Sequence, residues 1–210
     1  MSADTLVQRI DAVLPQTQCQ RCGYADCYAY AQALAENSAE LNQCPPGGDV
    51  TIVALAQLLQ RTPKPLNPIH GQHAPRTVAV IDETACIGCT RCILACPVDA
   101  ILGATKLMHS VIADECTGCE LCIPPCPVDC IVMVPAAAEN PDNRPLRAEQ
   151  GRRRHHFRIE RLTRDRAERK QRQALKNSPI ASAHPQLDAH RLAILAAVER
   201  VRAKRSVPEI

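Results

Sequence analysis

The sequence predicts an α+β fold in three parts: a small helical domain, a duplicated domain of short strands and helices, and a helical, basic C-terminal extension. Three observations support this fold class. Apolar residues near the N-terminus recur at helical spacing, a segment in the middle of the chain is repeated, and the net charge changes sign after it. The predicted boundaries are 1–61 for the helical domain, 62–75 for a linker, 76–135 for the duplicated domain and 144–206 for the extension.

Helical periodicity and four cysteines characterise residues 1–61. Leu6, Ile10 and Leu14 recur at about one helical turn and stop before Pro15, which cannot continue a helix. Further helices are expected after the third cysteine and after the Pro-Pro-Gly-Gly segment at 45–48. The cysteines have the spacing C-x2-C-x4-C-x16-C and are Cys19, Cys22, Cys27 and Cys44. This spacing by itself allows either an iron–sulfur cluster or a zinc ion.

Prolines at positions 63, 65, 68 and 75 interrupt residues 62–75, which contain little periodic apolar sequence. Such a segment is typical of an extended, fairly stiff linker. The strand-like residues 77–81 then open the duplicated domain, and residues 131–134 close it. Each half is predicted to supply a cysteine-bearing loop, a short helix around its last cysteine and a return strand.

The duplication itself carries the strongest chemical signal. From Cys86 to Ile101 and from Cys116 to Ile131, ten of sixteen aligned positions are identical. Both copies read C-x2-C-x2-C-x3-C-P, which is the spacing of bacterial two-cluster ferredoxins. The resemblance to those ferredoxins implies a ferredoxin-like (βαβ)2 arrangement, in which the fourth cysteine of each copy ligates the other cluster. The expected sets are Cys86, Cys89, Cys92 and Cys126 for one cluster, and Cys96, Cys116, Cys119 and Cys122 for the other.

Two other uses of the cysteines fit less well. Zinc sites take their four ligands from two separated pairs, whereas here four cysteines fall within eleven residues, twice over. Disulfides are disfavoured because the count of thirteen is odd and the N-terminus has no signal-peptide core. The thirteenth, Cys130, aligns with Ala100, and we interpret it as a small buried side chain, with a redox or ligand-exchange role as the alternative. The histidines show no ligand spacing and are predicted to lie at the surface.

The composition agrees with metal as a source of stability. The chain has one Phe, three Tyr and no Trp, so aromatic side chains contribute little buried area. Metal–thiolate bonds can supply folding free energy directly. No stretch approaches the ~20 apolar residues of a membrane helix. We expect the thiols to be reduced, which places the protein in the cytoplasm or peripherally on the cytoplasmic face of the inner membrane.

The N-terminal cysteine set also has a family resemblance. The stretch from Cys19 to Cys27, followed by Cys44-Pro-Pro-Gly-Gly, resembles the small [4Fe-4S] domain of the B subunit of the Rnf/Rsx ion-translocating electron-transport complex. The order of this domain, a Pro-rich linker and a two-cluster module matches as well, over about residues 5–135. The resemblance implies an anchorless Rnf B-type protein with three [4Fe-4S] clusters. In that family the complex couples electron flow between nicotinamide nucleotide and ferredoxin to ion movement across a membrane.

The C-terminal extension is strongly basic. Residues 144–210 carry a net charge of +11, and residues 1–143 carry −8. The extension is predicted to form a solvated helix, or to bind an acidic redox partner or the body of its own fold. Anionic lipid headgroups are a further candidate, whereas the lack of interleaved aromatic residues argues against nucleic acid. The three tyrosines, Tyr24, Tyr28 and Tyr30, are expected to shield the first cluster from water.

These features predict an electron carrier with no substrate site of its own, acting as part of a translocase. The sequence contains no nucleotide-binding glycine loop and no nucleophile–base pair. The expected partners are redox proteins, either other Rnf/Rsx subunits or a ferredoxin. The alternatives are a stand-alone cytoplasmic polyferredoxin, a nucleic-acid-associated protein with structural clusters, and a zinc-stabilised scaffold.

Overall fold

The computed structural model describes residues 3–137, 143–177 and 185–205. The chain divides into two compact units, Met1–Ile159 and Glu160–Ile210. Residues 178–184 and residue 206 of the predicted extension lie outside the described residues. Mixed helices and small sheets make up the described part of the fold, as the sequence predicts.

Three helices form the N-terminal part of the first unit: α1 (Ala3–Val13), α2 (Cys27–Ala35) and α3 (Gly48–Leu59). Helix α1 packs against both of the others. Their shared core contains Ile10, Leu34 and Leu55, each of which is fully buried. The apolar side chains that recur at helical spacing in the sequence are therefore the ones that hold these helices together.

The proline-rich segment that follows lies against the helical domain. It contains one short 3-10 helix, Pro68–His70. The Asn42 side chain donates a hydrogen bond to the carbonyl of Pro65 (2.6 Å), and the Asn67 backbone N–H donates to the carbonyl of Asn42 (3.0 Å). Because residues of this segment outside the 3-10 helix belong to no helix or strand, these bonds provide partners for its backbone polar groups.

Two small antiparallel sheets make up the duplicated domain. Strand β1 (Thr77–Ile81) pairs with β4 (Ile131–Pro135), with Ile81 opposite Ile131. Strand β2 (Ile101–Leu102) pairs with β3 (Ser110–Val111), with Ile101 opposite Val111. Each sheet therefore combines one strand from each half of the repeat, and the core between the sheets is lined by cysteines as well as aliphatic side chains.

The two halves differ in their helix content. Helix α4 (Arg91–Ala95) forms in the first half and ends at Cys96. The expected counterpart in the second half is absent from the described residues, where positions 121–125 form turns instead. Pro124 and Pro125 occupy the places of Leu94 and Ala95, and proline lacks a backbone N–H and restricts the residue before it. The prediction of a helix in this half was therefore wrong.

The basic extension begins with helix α5 (Arg144–Lys176), which is 33 residues long, and continues with helix α6 (Pro185–Arg205). Residues 144–159 of α5 belong to the first unit, where Ala148, Gly151 and Arg158 are buried. A methyl group on Gly151 would lie 2.9 Å from the carbonyl oxygen of Gln16. Glycine thus lets the helix approach the loop after α1 closely. No helix of the described residues is long and apolar enough to cross a membrane.

Candidate metal centres

Three cavities in the Met1–Ile159 unit are lined by cysteines. The first contains Cys19, Cys22, Cys27 and Cys44; the second contains Cys86, Cys89, Cys92, Cys126 and Cys130; the third contains Cys96, Cys116, Cys119 and Cys122. The groupings coincide with the predicted ligand sets, including the exchange of Cys96 and Cys126 between the halves. That the sets bind clusters stays a prediction.

The first cavity is lined by the loop after α1, by α2 and by the segment before α3. Cys19 and Cys22 come from the loop after α1, Cys27 is the first residue of α2, and Cys44 precedes α3. Asp26 caps α2 by accepting a hydrogen bond from the backbone N–H of Ala29 (2.7 Å). The cap fixes where the helix begins, and this fixes the direction of the Cys27 side chain.

A buried chain of polar side chains supports this loop. The Cys27 backbone N–H donates to Gln18 (2.9 Å), whose amide donates to Gln16 (2.8 Å), whose amide donates to Asp11 (2.8 Å). Asp11 is 5% exposed and accepts a hydrogen bond from Arg152 of α5 at 2.6 Å. The chain connects α5 to the first cysteine loop. Sequence reasoning missed it, because the three polar residues show no recognisable spacing.

The second and third cavities lie at equivalent places in the two halves of the repeat. The backbone N–H of His109 donates to Cys86 Sγ (3.4 Å), and the equivalent N–H of Ala79 donates to Cys116 Sγ (3.5 Å). The backbone N–H of Ala100 likewise donates to Cys96 Sγ (3.2 Å). Such bonds favour the thiolate form of cysteine, which is the form that binds metal.

Glycines bring the backbone of each half close to a cysteine loop of the other. Gly88 has a φ of +67°, and a Cβ there would lie 2.6 Å from the backbone N of Leu107. Gly118 has a φ of +72°, and a Cβ there would lie 2.4 Å from the carbonyl oxygen of Thr77. Both positions require glycine for conformation as well as space.

Burial strongly disfavours ionisation of these thiols in the metal-free chain. It raises the pKa of Cys44 to about 12, that of Cys119 to about 11 and that of Cys122 to about 12. Burial is the largest cause of each rise, and neighbouring cysteines of the same cavity contribute to it. A bound cation reverses this balance, because metal coordination removes the protons. The donor sets, the amide hydrogen bonds and the apolar linings therefore suit iron–sulfur clusters.

One histidine contradicts the prediction that the histidines lie at the surface. His109 is 1% exposed, and its Nδ1 lies 3.3 Å from Cys92 Sγ and 3.6 Å from Cys86 Sγ. It directly precedes β3 and lies next to the Cys86 loop, so its burial depends on strand pairing that sequence spacing does not reveal. Cys130 is buried as predicted, and its Sγ lies 3.6 Å from Cys126 Sγ.

The tyrosines lie beside the first cavity to different degrees. Tyr30 is 1% exposed, lines the cavity and donates a hydrogen bond to the carbonyl of Glu40 (2.7 Å). Tyr24 stacks on it in a tilted arrangement with ring centroids 5.3 Å apart. Tyr28 is 39% exposed. Of the three tyrosines, Tyr30 is thus the one that lines this cavity.

The fold and the cysteine sets define an iron–sulfur protein of the [4Fe-4S] type. The family model of the 4Fe-4S dicluster domain matches residues 79–133, and a second model, for an Fe-S cluster, matches residues 14–46. The two matched ranges contain all twelve predicted cysteine ligands.

Curated relatives narrow the class. The chain is 60% identical over 141 residues to the B subunit of the ion-translocating oxidoreductase complex of Thiobacillus denitrificans, covering 67% of this chain and 75% of the relative. It is 58% identical to the protein of the same name in Alkalilimnicola ehrlichii, covering 64% and 73%. For that of Azoarcus sp. the identity is 59%, covering 53% and 61%. The chain belongs to the family of B subunits of ion-translocating oxidoreductase complexes.

Proposed function

We propose that this chain carries electrons through three [4Fe-4S] clusters, as the B-type subunit of an Rnf ion-translocating oxidoreductase complex. The observation that carries the proposal is the gathering of twelve cysteines, in sets of four, at three cavities of a chain in this family. When bound, each cluster accepts and releases one electron at a time.

The role of the polypeptide is to hold the clusters and to control their surroundings. The first cluster is assigned to Cys19, Cys22, Cys27 and Cys44, the second to Cys86, Cys89, Cys92 and Cys126, and the third to Cys96, Cys116, Cys119 and Cys122. Cys96 and Cys126 each line the cavity of the other half of the repeat, so in this assignment they would hold the second and third clusters at a fixed separation. Apolar neighbours such as Tyr30 at the first cavity and Ile131 at the second limit access of water.

The cluster count is tested by anaerobic purification followed by iron and acid-labile sulfide analysis. We expect about twelve irons and about twelve sulfides per chain, because each cubane contains four of each. Cys22→Ser should reduce both to about eight, whereas Cys130→Ala, the matched control outside the ligand sets, should leave both unchanged. Zinc in place of iron, or about eight irons in the unmodified chain, would contradict the proposal.

The ligand exchange between halves is tested by double substitution. In the proposed assignment Cys96 and Cys119 serve the same cluster, so Cys96→Ser with Cys119→Ser should leave about eight irons. Cys96 and Cys89 serve different clusters, so Cys96→Ser with Cys89→Ser should leave about four. The reverse result would show that each half holds its own cluster.

The proposed partners are the other subunits of the complex and a redox protein such as a ferredoxin, at the cytoplasmic face of the membrane. The names of the relatives, which describe a complex, support this proposal. The affinity-tagged chain should be recovered in the membrane fraction when the other subunits are present and lost from it when they are deleted. Equal recovery in both strains would contradict these partners.

A second proposed contact is with anionic lipid, through the part of α5 beyond Ile159. Arg166, Arg169 and Lys170 are exposed there. Basic residues near a membrane surface contribute about 1 kcal/mol each to binding of anionic lipid. The contact would add to subunit interactions rather than replace them.

A further inference from the structure

The two halves of the repeat have different side chains at equivalent positions next to the ligand sulfurs. Equivalent residues are thirty positions apart, so that Cys86 corresponds to Cys116. By the same offset Ala79 corresponds to His109, and Ala100 corresponds to Cys130. The backbone supports this correspondence, because the N–H groups of Ala79 and His109 donate to equivalent cysteine sulfurs at 3.5 and 3.4 Å.

Both polar side chains lie at the second cavity. His109 Nδ1 lies 3.3 Å from Cys92 Sγ, and Cys130 Sγ lies 3.6 Å from Cys126 Sγ. At the third cavity the equivalent residues, Ala79 and Ala100, have only methyl groups. The second ligand set thus has two side-chain donors within reach. At the third set the hydroxyl of Thr117 lies beside Cys119, but its single proton is donated to the carbonyl of Thr17 (2.9 Å).

The residues beside Ala79 and His109 differ in size in the opposite sense. Met133 is paired with Ala79 and lines the third cavity. Gly103, its equivalent, lies beside His109, and a Cβ on it would come within 2.3 Å of the imidazole ring. The third cavity therefore combines the small Ala79 with the long Met133, whereas at the second cavity the large His109 lies beside Gly103. The lack of a side chain at Gly103 therefore leaves the space that the imidazole occupies.

The tautomer of His109 follows from the chemistry of its neighbours. An iron-bound thiolate has no proton, so the imidazole must donate from Nδ1. Its other nitrogen, Nε2, is buried and has no hydrogen-bond partner among the described residues. A buried histidine with one nitrogen left unsatisfied is costly, which is consistent with a role for the contact that its other nitrogen makes.

Donors to ligand sulfurs stabilise the reduced, more negative state of a cluster and so raise its reduction potential. We infer that the cluster held by Cys86, Cys89, Cys92 and Cys126 is the more easily reduced of the two in the dicluster domain, because His109 and Cys130 donate to its ligands. The first electron to enter this domain then resides at that cluster. This inference rests on the proposed function.

The first test is an EPR-monitored redox titration of the full chain at fixed pH, in a Cys22→Ser background that removes the signal of the N-terminal cluster. The unmodified pair should titrate at two different potentials. His109→Ala, which installs the residue of the other half, should lower the higher potential by about 59 mV, a tenfold change for a one-electron couple, and leave the lower one in place. Cys130→Ala should lower the same potential by less, since a thiol is a weaker donor.

A donor-retaining variant separates hydrogen bonding from packing. His109→Gln keeps an N–H group in place of the imidazole and should recover most of the potential lost in His109→Ala. The inference would be overturned if His109→Ala lowered both reduction potentials by equal amounts, or if His109→Gln did not restore the higher potential. If His109→Ala fails to retain iron, Cys130→Ala decides the question. It should lower the higher potential and leave the lower one in place, and two unchanged potentials would overturn the inference.

The reciprocal change provides a gain of function. Ala79→His with Met133→Gly reproduces the second cavity's pair at the third, and should raise the lower potential while the higher one stays. Met133→Gly alone is the matched control for the space that the substitution opens, and it should not reproduce the rise. Iron is measured on every sample. An unmodified chain without dicluster iron would overturn the proposed function and this inference together, whereas full iron with unchanged potentials would overturn this inference alone.

Discussion

Asp11 connects two parts of the first unit at the scale of a single residue. Its buried carboxylate accepts hydrogen bonds from Gln16 and Arg152. Removing the charge leaves the guanidinium of Arg152, which is 21% exposed, without its buried partner. We predict that Asp11→Asn lowers the free energy of unfolding by about 3 kcal/mol, as is usual when one member of a buried ion pair is removed. Anaerobic denaturant unfolding measures this.

Glu149 offers a matched control for that prediction. It also forms an ion pair with Arg152, but its side chain is 64% exposed. Exposed pairs on a helix contribute little, so Glu149→Gln should change stability by less than about 0.5 kcal/mol. Equal effects of the two substitutions would mean that burial of Asp11 is not what makes its ion pair important.

The thiols give the molecule opposite pH dependences with and without metal. Burial raises the pKa of Cys44 and Cys122 to about 12, above the usual thiol value. The metal-free fold therefore favours protonated thiols, and the stability they contribute is present below about pH 8.5 and lost as pH rises toward 12. Ligation requires thiolates instead, so cluster reconstitution should improve from about pH 6 to about pH 8.5.

Reconstitution yield at constant free iron and sulfide, followed by iron content, measures the second trend. Circular dichroism of the metal-free chain from about pH 8 to about pH 12 measures the first. Reconstitution that does not depend on pH would show that the ligand thiols are already ionised in the metal-free chain.

At the scale of elements, the turns of the repeat depend on glycine where a neighbouring backbone segment approaches. We predict that Gly88→Ala destabilises the dicluster domain by about 3 kcal/mol or more, because its Cβ would overlap the backbone of Leu107 and its φ is positive. Thermal unfolding and iron content of the anaerobic protein measure this.

Gly23 is the matched control for conformation without overlap. Its φ is +89°, and a Cβ there would meet no atom within 4 Å. Gly23→Ala should therefore cost only the left-handed conformation, about 1 to 2 kcal/mol. An effect of Gly88→Ala no larger than that would show that the backbone around Leu107 can move away.

Helix α5 shows how an element can serve two purposes along its length. In its first part, Arg154 pairs with Glu115 at 2.6 Å and donates to the carbonyl of Val98 at 2.8 Å. Arg158 is buried and pairs with Asp99. These arginines belong to the packing of the first unit. The cationic surface proposed to meet lipid is thus confined to residues beyond Ile159.

At the scale of the whole molecule, this division of charge makes the lipid proposal specific. Changing Arg166, Arg169 and Lys170 to glutamine should weaken binding to anionic vesicles about a hundredfold, at about 1 kcal/mol per charge. Co-sedimentation with phosphatidylserine-containing vesicles at low salt measures this, with phosphatidylcholine vesicles as the lipid control. Glu168→Gln should strengthen binding, since Glu168 pairs with Arg164 and Arg172. Unchanged binding in the triple variant would reject the contact.

Sequence reasoning was sufficient for the parts of the molecule that local chemistry controls. The cysteine spacings indicated three groups of cysteines, and the resemblance to two-cluster ferredoxins implied the exchange of Cys96 and Cys126; the same groupings line the cavities. Helical periodicity predicted α1 through Ile10 and Leu14, whose side chains are buried.

Contacts between segments that are distant in the sequence could be identified only from the tertiary structure. Strand pairing buries His109 against a cysteine loop 17 to 23 residues earlier in the chain, and α5 brings Arg152 to Asp11 across 141 positions. Neither contact has a local sequence signal, because each depends on which elements pack together. The inequivalence of the two repeated halves likewise appears only when the strands align Ala79 with His109, since side-chain packing against a particular sulfur is a property of the assembled fold.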